Sequence, residues 1–562
     1  MQDYLKRKLR DVLDAFDDDV PDDFEPELET PANPEHGDLS TNTAMRLPPH
    51  LKRPPREIAS DLVGRLRERL DPERIRAVEV AGPGFVNFRF ADDYLWNGLS
   101  QILAADDYGR TKAHIGQRAL VEYVSANPTG PLTVGHGRNA VLGDTLANLL
   151  EWTGYEVERE YYFNDAGRQM RILAQSVRAR YEAFADPDAP TRPIEEDGNI
   201  EEVPASFPEE GYRGQYIIDI ARDLYDDDPD LLDADDLAPF RDAAEEAIFT
   251  EIEDTLNRLG IEMDRYFNER DLYDEGRVEA VLERLREVGV TYERDGATWL
   301  RTTDFGKDKD TVLVKSNGEP TYRLPDIAYH DDKFARGYDR IVDVFGADHV
   351  ATYPDVLSAL DVLGYDTDER VSVLVYQFVS LVRGGEPVTM STRAANYTTL
   401  NELMDEVPSD VVRFFFLMRS PNTHLDFDLE LARERNEKNP VFYLQYAHAR
   451  ISSILDKAEE VGFDYNAEPE LERLTHDAEK ALIKELLKLP DEIAGAADMM
   501  APHHLADYLR DVATAFTAFY GDCHIIGEER PLAVARMHLA LAARTVLANG
   551  LAVLGINAPE SM

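Results

Sequence analysis

Cysteine is nearly missing from this chain: of 562 residues, only Cys523 carries a thiol. A single cysteine excludes an internal disulfide and any zinc site built from several cysteines. It fits a reducing cytoplasm. Long apolar runs are also missing. None approaches the roughly 18 residues that a membrane-spanning helix needs, although hydrophobic residues make up 43% of the chain, enough for large cores. The opening Met1-Gln2-Asp3-Tyr4-Leu5-Lys6-Arg7 has no apolar signal core, so no secretion is expected. Lysine is scarce, with 13 against 47 arginines.

What is abundant is acid. Asp and Glu total 110 and Lys and Arg 60, a formal net charge of -50. A protein so acidic repels nucleic acid at ordinary salt. Either the ligand is not nucleic acid, or the surrounding salt is high enough to screen charge within about 3 Å, as at 1 M. Carboxylates spread along the whole chain with few lysines favour the second reading, a halophilic adaptation.

The length allows three or four domains. Leu5, Leu9, Val12, Leu13 and Phe16 share a helical face, as do Ile58, Leu62, Val63, Leu66 and Leu70. Residues 86–90 alternate as a strand. Residues 1–110 therefore read as a small α+β domain. Residues 119–124 read as a strand, a Pro/Gly-rich loop leads into a helix with Val141, Leu142, Leu146, Leu149 and Leu150, and Tyr155 to Phe163 reads as a second strand. This βαβ pattern predicts a Rossmann-like, doubly wound parallel sheet over 111–409. An acidic insertion interrupts it around 186–240: residues 186–210 hold nine acids and one base. Alternation of strand and helix resumes near 311, with strands at 341–345 and 371–377. From 410 to 562 the spacing is helical almost throughout, predicting an all-α domain of five or six helices.

The most informative stretch is Glu122-Tyr123-Val124-Ser125-Ala126-Asn127-Pro128-Thr129-Gly130-Pro131-Leu132-Thr133-Val134-Gly135-His136-Gly137-Arg138-Asn139. It lies between the first strand and its helix, on the sheet edge where open α/β folds bind ligands. A helix N-terminus suits phosphate, Gly135 lets backbone approach a nucleotide, and His136 can donate a hydrogen bond to charge building on a phosphate. A turn with a capping histidine is the plain alternative.

The stretch resembles the His-Ile-Gly-His signature of class I aminoacyl-tRNA synthetases, in the form used by the arginine-specific family, with Thr133 in place of the first histidine. Further segments similar to that family follow in order: Tyr161–Gln169, Thr321–His330, Gly346–His349, Met390–Arg393, Asn439–Arg450 and Leu554–Met562, with His36–Asn42 near the N-terminus. The resemblance covers nearly the whole chain. It implies a two-step reaction: the carboxylate of arginine attacks the α-phosphate of ATP, releasing pyrophosphate, and the terminal ribose of tRNA(Arg) then takes the aminoacyl group.

The resemblance also assigns residues. Thr133, Gly135 and His136 fall on ATP, together with Met390, Ser391 and Arg393 of the second signature, which reads Thr389-Met390-Ser391-Thr392-Arg393 and lacks both lysines. Some members carry a compensating lysine just before the first signature, at the place of Gly130. Glu122 and Asn127 correspond to the α-amino end of arginine, and Ser125 is a further arginine-binding position. Tyr322 and Asp326 correspond to its side chain, four residues apart and so on one face if helical, with a carboxylate–guanidinium pair rejecting lysine by geometry. Asp348 and His349 follow a strand and line either the pocket or the fold. N-terminal (1–110) and C-terminal (410–562) domains are implied to bind tRNA, the latter at its anticodon. Asn42, Tyr443, Gln445, Tyr446 and Arg450 are candidates there, while Phe442 and Tyr446 read first as core. Implied partners are tRNA(Arg), L-arginine and ATP, with Mg2+ carried by the nucleotide, no protein-bound metal, no membrane, and a monomer. A cysteine-specific synthetase would need a cysteine-ligated zinc. A small nucleotidyltransferase would lack the helical C-terminal region. A non-catalytic RNA-binding paralogue is the reading from another class, and ATP–pyrophosphate exchange separates it from the enzyme.

Overall fold

The computed structural model describes all residues except 17–19, 22, 166, 197–198, 232–235 and 389–398, and of residues 34, 196, 199 and 348 only the backbone. Two compact units emerge. One comprises Met1–Tyr108, Ile451–Lys488 and Thr514–Val546; the other comprises Gly109–Arg450, Leu489–Ala513 and Leu547–Met562.

In the first unit the apolar stripe of helix Gln2–Leu13 buries Leu5, Leu9, Val12 and Leu13 against helix Pro55–Arg67 and a three-stranded antiparallel sheet of Leu39–Thr41, Phe85–Phe90 and Ile75–Ala81. The His36-Gly37-Asp38 segment has a structural reason. Gly37 sits at φ +105 with its missing Cβ 2.6 Å from Phe88 O, so no side chain fits. Asp38 then accepts the Phe90 N–H at 2.6 Å and the Lys484 ammonium at 2.6 Å. Helix Asp477–Leu486 thus belongs to this unit, held further by Lys480–Asp92 at 2.8 Å and the buried pair Arg536–Glu479 at 2.7 Å.

The second unit is built on a parallel sheet. Among the described residues its strands are β1 (Arg118–Glu122), β2 (Glu156–Phe163), β3 (Arg265–Asn268), β4 (Arg340–Gly346) and β5 (Val371–Tyr376), in the order β5-β4-β1-β2-β3. All neighbours run parallel. Strand order reverses between β1 and β4, which makes that crevice the topological switch point. Helix α1 (Val134–Thr153) connects β1 to β2 and is buried nearly all round, as a central helix must be. Gly143 lets it lie against Tyr123, whose atoms would sit 2.2 Å from a Cβ there. Helix α2 (Arg323–Ala335) leads into β4.

Three expectations need correction. The strand at 311–314 lies not in the parallel sheet but in a small antiparallel one with Thr291–Arg294 and Ala297–Leu300. The region after 410 is not helical throughout: Leu425–Asp428 is a strand, parallel to Val379–Arg383. Its four residues alternate apolar and acidic, a pattern too short to read against flanking helices. Between 410 and 562 the described residues also form more α-helices than five or six, since Leu429–Arg433 and the long stretch after Asp477 divide further. Part of the acidic insertion is a hairpin, Thr191–Glu196 with Asn199–Pro204.

Among the described residues one helix, Arg530–Val553, is long and apolar enough to cross a membrane by length and composition, and 61% of its apolar window is buried inside the protein. The closing Leu554-Gly555-Ile556 is explained by Arg413. This buried guanidinium binds Asp144 at 2.5 Å and the carbonyls of Leu259 and Leu554 at 3.0 and 3.1 Å. A Cβ on Gly555 would fall 2.0 Å from its Nη2.

Candidate active site

The loop leaving β1 is strained. Val124 and Ser125 have φ of +66 and +40, a region costly for a β-branched residue, roughly 1–3 kcal/mol. Asn139 on α1 holds it in place: its Oδ1 accepts the Val124 N–H at 2.7 Å, and its Nδ2 donates to Val344 O on β4 at 3.0 Å. Asn139 therefore pins the loop across the switch point. Arg138, fully buried, donates to the carbonyls of Gln377, Thr423 and Ser420 at 2.7, 3.0 and 3.2 Å. It fixes α1 both to Gln377, just after β5, and to the turn at 420–423, and burial brings its pKa down to about 10.

Thr133 is the N-cap of α1. Its Oγ1 accepts the His136 N–H at 3.4 Å, and the His136 Nδ1 accepts the Thr133 N–H at 3.2 Å. The plain alternative, a capping histidine, is thus present. It also has a chemical consequence: an Nδ1 that accepts a hydrogen bond carries no proton, so the neutral ring carries its proton on Nε2. Threonine is among the preferred N-cap residues, which accounts for its place here. Among the described residues, a Cβ on Gly135 would meet only Thr133 Oγ1, at 3.6 Å. At Gly130 the space is tighter. A Cβ there would lie 2.9 Å from the Tyr216 hydroxyl, which donates to Thr129 O, so the place of the compensating lysine is filled.

Met390, Ser391 and Arg393 lie outside the described residues. The residues that follow them return to the first signature: Thr399 forms an isolated antiparallel bridge with Thr133, and Leu400 N–H donates to Leu132 O at 2.8 Å. Thr399 and Leu400 are therefore anchored beside the N-terminus of α1.

At the crevice itself, Glu122 ends β1 and pairs in register with Asp343 of β4. Between them stands Lys333, fully buried, its ammonium 2.5 Å from Glu122 Oε2 and 2.6 Å from Asp343 Oδ1. His330 Nε2 lies 3.0 Å from Asp343 Oδ2, and its Nδ1 2.9 Å from Asp326 O. Ser125 Oγ donates to Glu122 Oε1 at 2.9 Å and accepts the Tyr162 N–H at 3.1 Å. Burial pulls the pKa of Lys333 down, but Asp343 and Glu122 outweigh it and raise it. Burial likewise opposes ionisation of Asp343, and Lys333 and His330 reverse this and hold it low.

Asp326 stands one turn before His330 on α2. Part of its surface remains reachable, but burial pushes its carboxyl up to about 7, against the pull of His330, with Glu269 and Glu122 adding to the rise. The Asp326 N–H donates to Tyr322 O at 3.2 Å, as expected for a helical i, i+4 pair, while the Tyr322 ring is 71% exposed at the helix start. Asn127 is exposed and Ser125 half-buried. Asp348 lies in a short 3-10 turn directly after β4, its side chain outside the described residues, and His349 stacks on Phe345 at 5.3 Å.

Sequence reading missed Lys333, His330 and Asp343. The signal was available in part: Asp326, His330 and Lys333 recur at i, i+4 and i+7, one helical face carrying three ionisable groups. Asp343 gave none, a lone acid in the strand Ile341–Phe345.

Of the RNA candidates, Gln445 is a correction. It is buried, and its amide donates to Asp410 at 2.8 Å and Asn557 O at 3.0 Å, contacts that tie it to the segment around Asn557. Tyr446 is a correction of the opposite kind: it is not core but 44% exposed, stacked near Phe442 at 6.2 Å with Arg450 5.8 Å from its ring centre. Tyr443 is half-buried. Asn42 precedes helix Thr43–Arg46, with its Oδ1 buried and without a hydrogen-bond partner among the described residues.

The catalytic-domain family "tRNA synthetases class I (R)" matches residues 98–414, more than half of the chain. The chain belongs to the arginyl-tRNA synthetase family. The arginyl-tRNA synthetase N-terminal domain matches residues 2–90 and the DALR anticodon-binding domain residues 444–562. An Arginine--tRNA ligase of Salinibacter ruber is 67% identical over 564 residues, covering 100% of both chains. One of Desulfotalea psychrophila is 47% identical over 95% of this chain and 94% of its own. The Thermus thermophilus arginyl-tRNA synthetase structure superposes with a TM-score of 0.79 over 100% of both chains at 23% identity, a likeness of fold. The enzyme is thus a class I aminoacyl-tRNA ligase, with a Rossmann-like catalytic sheet, an N-terminal domain and a helical anticodon-binding domain.

Proposed function

We propose that the enzyme activates L-arginine with ATP in the crevice between β1 and β4 and transfers it to the terminal adenosine of tRNA(Arg). Glu122 and Asn127 receive the α-amino end, and Ser125 binds arginine as well. Asp326, with Tyr322 and Asp348, receives the guanidinium. Thr133, Gly135 and His136 hold ATP from the start of α1, and Met390, Ser391 and Arg393 are assigned to ATP as well, with Mg2+ carried by the nucleotide. The domains are 1–110, 111–409 and 410–562, the outer two meeting tRNA, with Tyr446 and Arg450 offering a stacking surface to unpaired bases. The enzyme works as a cytoplasmic monomer. The observation that carries the reading is the carboxylate of Asp326 beside the switch point, on the same helix face as His330 and Lys333.

This reading is tested by pH. The folded pKa of Asp326, about 7, lies above its unfolded value near 3.9. The empty protein therefore loses stability as pH rises from about 4 to about 7. Arginine needs the carboxylate form, so its affinity should climb about tenfold per unit below pH 7 and level off above it. Arginine titrations between about pH 5.5 and 8.5 check this. An affinity that stays flat across the range, in the wild type, would remove Asp326 as the guanidinium partner.

The net charge of -50 supports a halophilic enzyme whose carboxylate repulsion requires screening. Circular dichroism and aminoacylation in potassium chloride from about 0.1 to 3 M should rise together with salt. Full activity at the lowest concentration would contradict it.

A further inference from the structure

Arginine brings two cations, an α-ammonium and a guanidinium, and the carboxylates proposed for them stand on different elements, Glu122 on β1 and Asp326 on α2. We propose that Lys333 is a positioning residue for arginine, which locks Glu122 in register with Asp326 so that both ends of the substrate are met at once. The inference rests on the assignment of Glu122 and Asp326 given above.

The geometry is a continuous buried chain. Glu122 binds Lys333, Lys333 binds Asp343, Asp343 binds His330, and His330 Nδ1 meets the main-chain oxygen of Asp326. Lys333 also lies 4.3 Å from the ring centre of Tyr329, whose hydroxyl donates to Glu160 at 2.6 Å, so the ammonium is fixed from a further side. Without Lys333, Glu122 and Asp343 would face each other as like charges in a dry interior. One of them would take up a proton or turn away. Ser125, bridged between Glu122 and the Tyr162 N–H, would move with it.

The test is ATP–pyrophosphate exchange with tRNA(Arg), run on Lys333→Met, Lys333→Met/Asp343→Asn and Glu122→Gln, with melting temperatures on each. Lys333→Met should raise KM for arginine roughly tenfold or more, on the scale of breaking one side of a buried charged pair, with KM for ATP unchanged. The double variant removes the unmatched carboxylate, so it should regain melting temperature while keeping the raised arginine KM. A double variant with wild-type arginine KM would make Lys333 a mere counter-ion to Asp343 and overturn the proposal. So would arginine and ATP constants rising alike in Lys333→Met. An unchanged arginine KM in Glu122→Gln would sink the assignment of Glu122 itself. A raised value there with an unchanged one in Lys333→Met would sink the positioning role alone.

Discussion

Replacing His136 by alanine is expected to slow adenylate formation roughly 10²–10³-fold, the usual loss when one transition-state donor is removed. The neutral imidazole has its Nδ1 accepting from the Thr133 N–H, which leaves the ring proton on Nε2. That donor stands in the first turn of α1, where main-chain N–H groups and the helix dipole already favour phosphate. Loss of the histidine also opens the capping box, which costs about 1 kcal/mol of stability. The two effects are separable. Glutamine at N3 can bond back to the N-cap, so His136→Gln should recover the melting temperature without recovering the full rate. KM for arginine should change little in either variant. Pyrophosphate exchange in the presence of tRNA reads the rate, and wild-type turnover in His136→Ala would remove His136 from the chemistry.

Asp326→Asn is expected to reduce kcat/KM for arginine by roughly 2–5 kcal/mol, the range for truncating one partner of a buried charged pair. The substitution preserves size and removes the charge a guanidinium requires. Binding of ATP should survive on the proposed assignment, because Thr133 and His136 stand at the start of α1 and Asp326 on α2. Without substrate, the Asp326→Asn variant should also be as stable as the wild type or more so at pH 8, since it no longer ionises a carboxyl that burial holds near 7. A helix-capping role for Asp326 predicts the opposite, a lower melting point with arginine and ATP affected together. Kinetics for both substrates and thermal melting, on the same protein, distinguish the two.

The parallel sheet and the loop at its switch point were legible because they rest on local pattern. The run 119–124, the Pro/Gly-rich loop and the helical spacing after 134 each report on a few neighbouring residues; β1 ends two residues earlier, at Glu122, and α1 stands where they indicate. The strand at 425–428 was not legible, because its partner at 379–383 is distant in sequence. The site was half legible for the same reason. Glu122, Asp326 and His136 belong to recognisable segments. Lys333 sits in an ordinary-looking Asp-Asp-Lys run, and only the tertiary pairing of β1 with β4 turns it into a buried cation between two carboxylates. Gln445 and Tyr446 are adjacent on one helix, yet one is buried and the other exposed. Helical spacing alone does not say which side the C-terminal tail covers.

In the proposed site the crevice reads a planar guanidinium through carboxylates, not merely a positive charge. The most direct test of this is ATP–pyrophosphate exchange by the purified enzyme with tRNA(Arg), comparing arginine with lysine at saturating ATP. The account predicts robust exchange with arginine and almost none with lysine, whose ammonium cannot engage a carboxylate through two parallel bonds. Comparable exchange with both amino acids, or none with arginine, would contradict it.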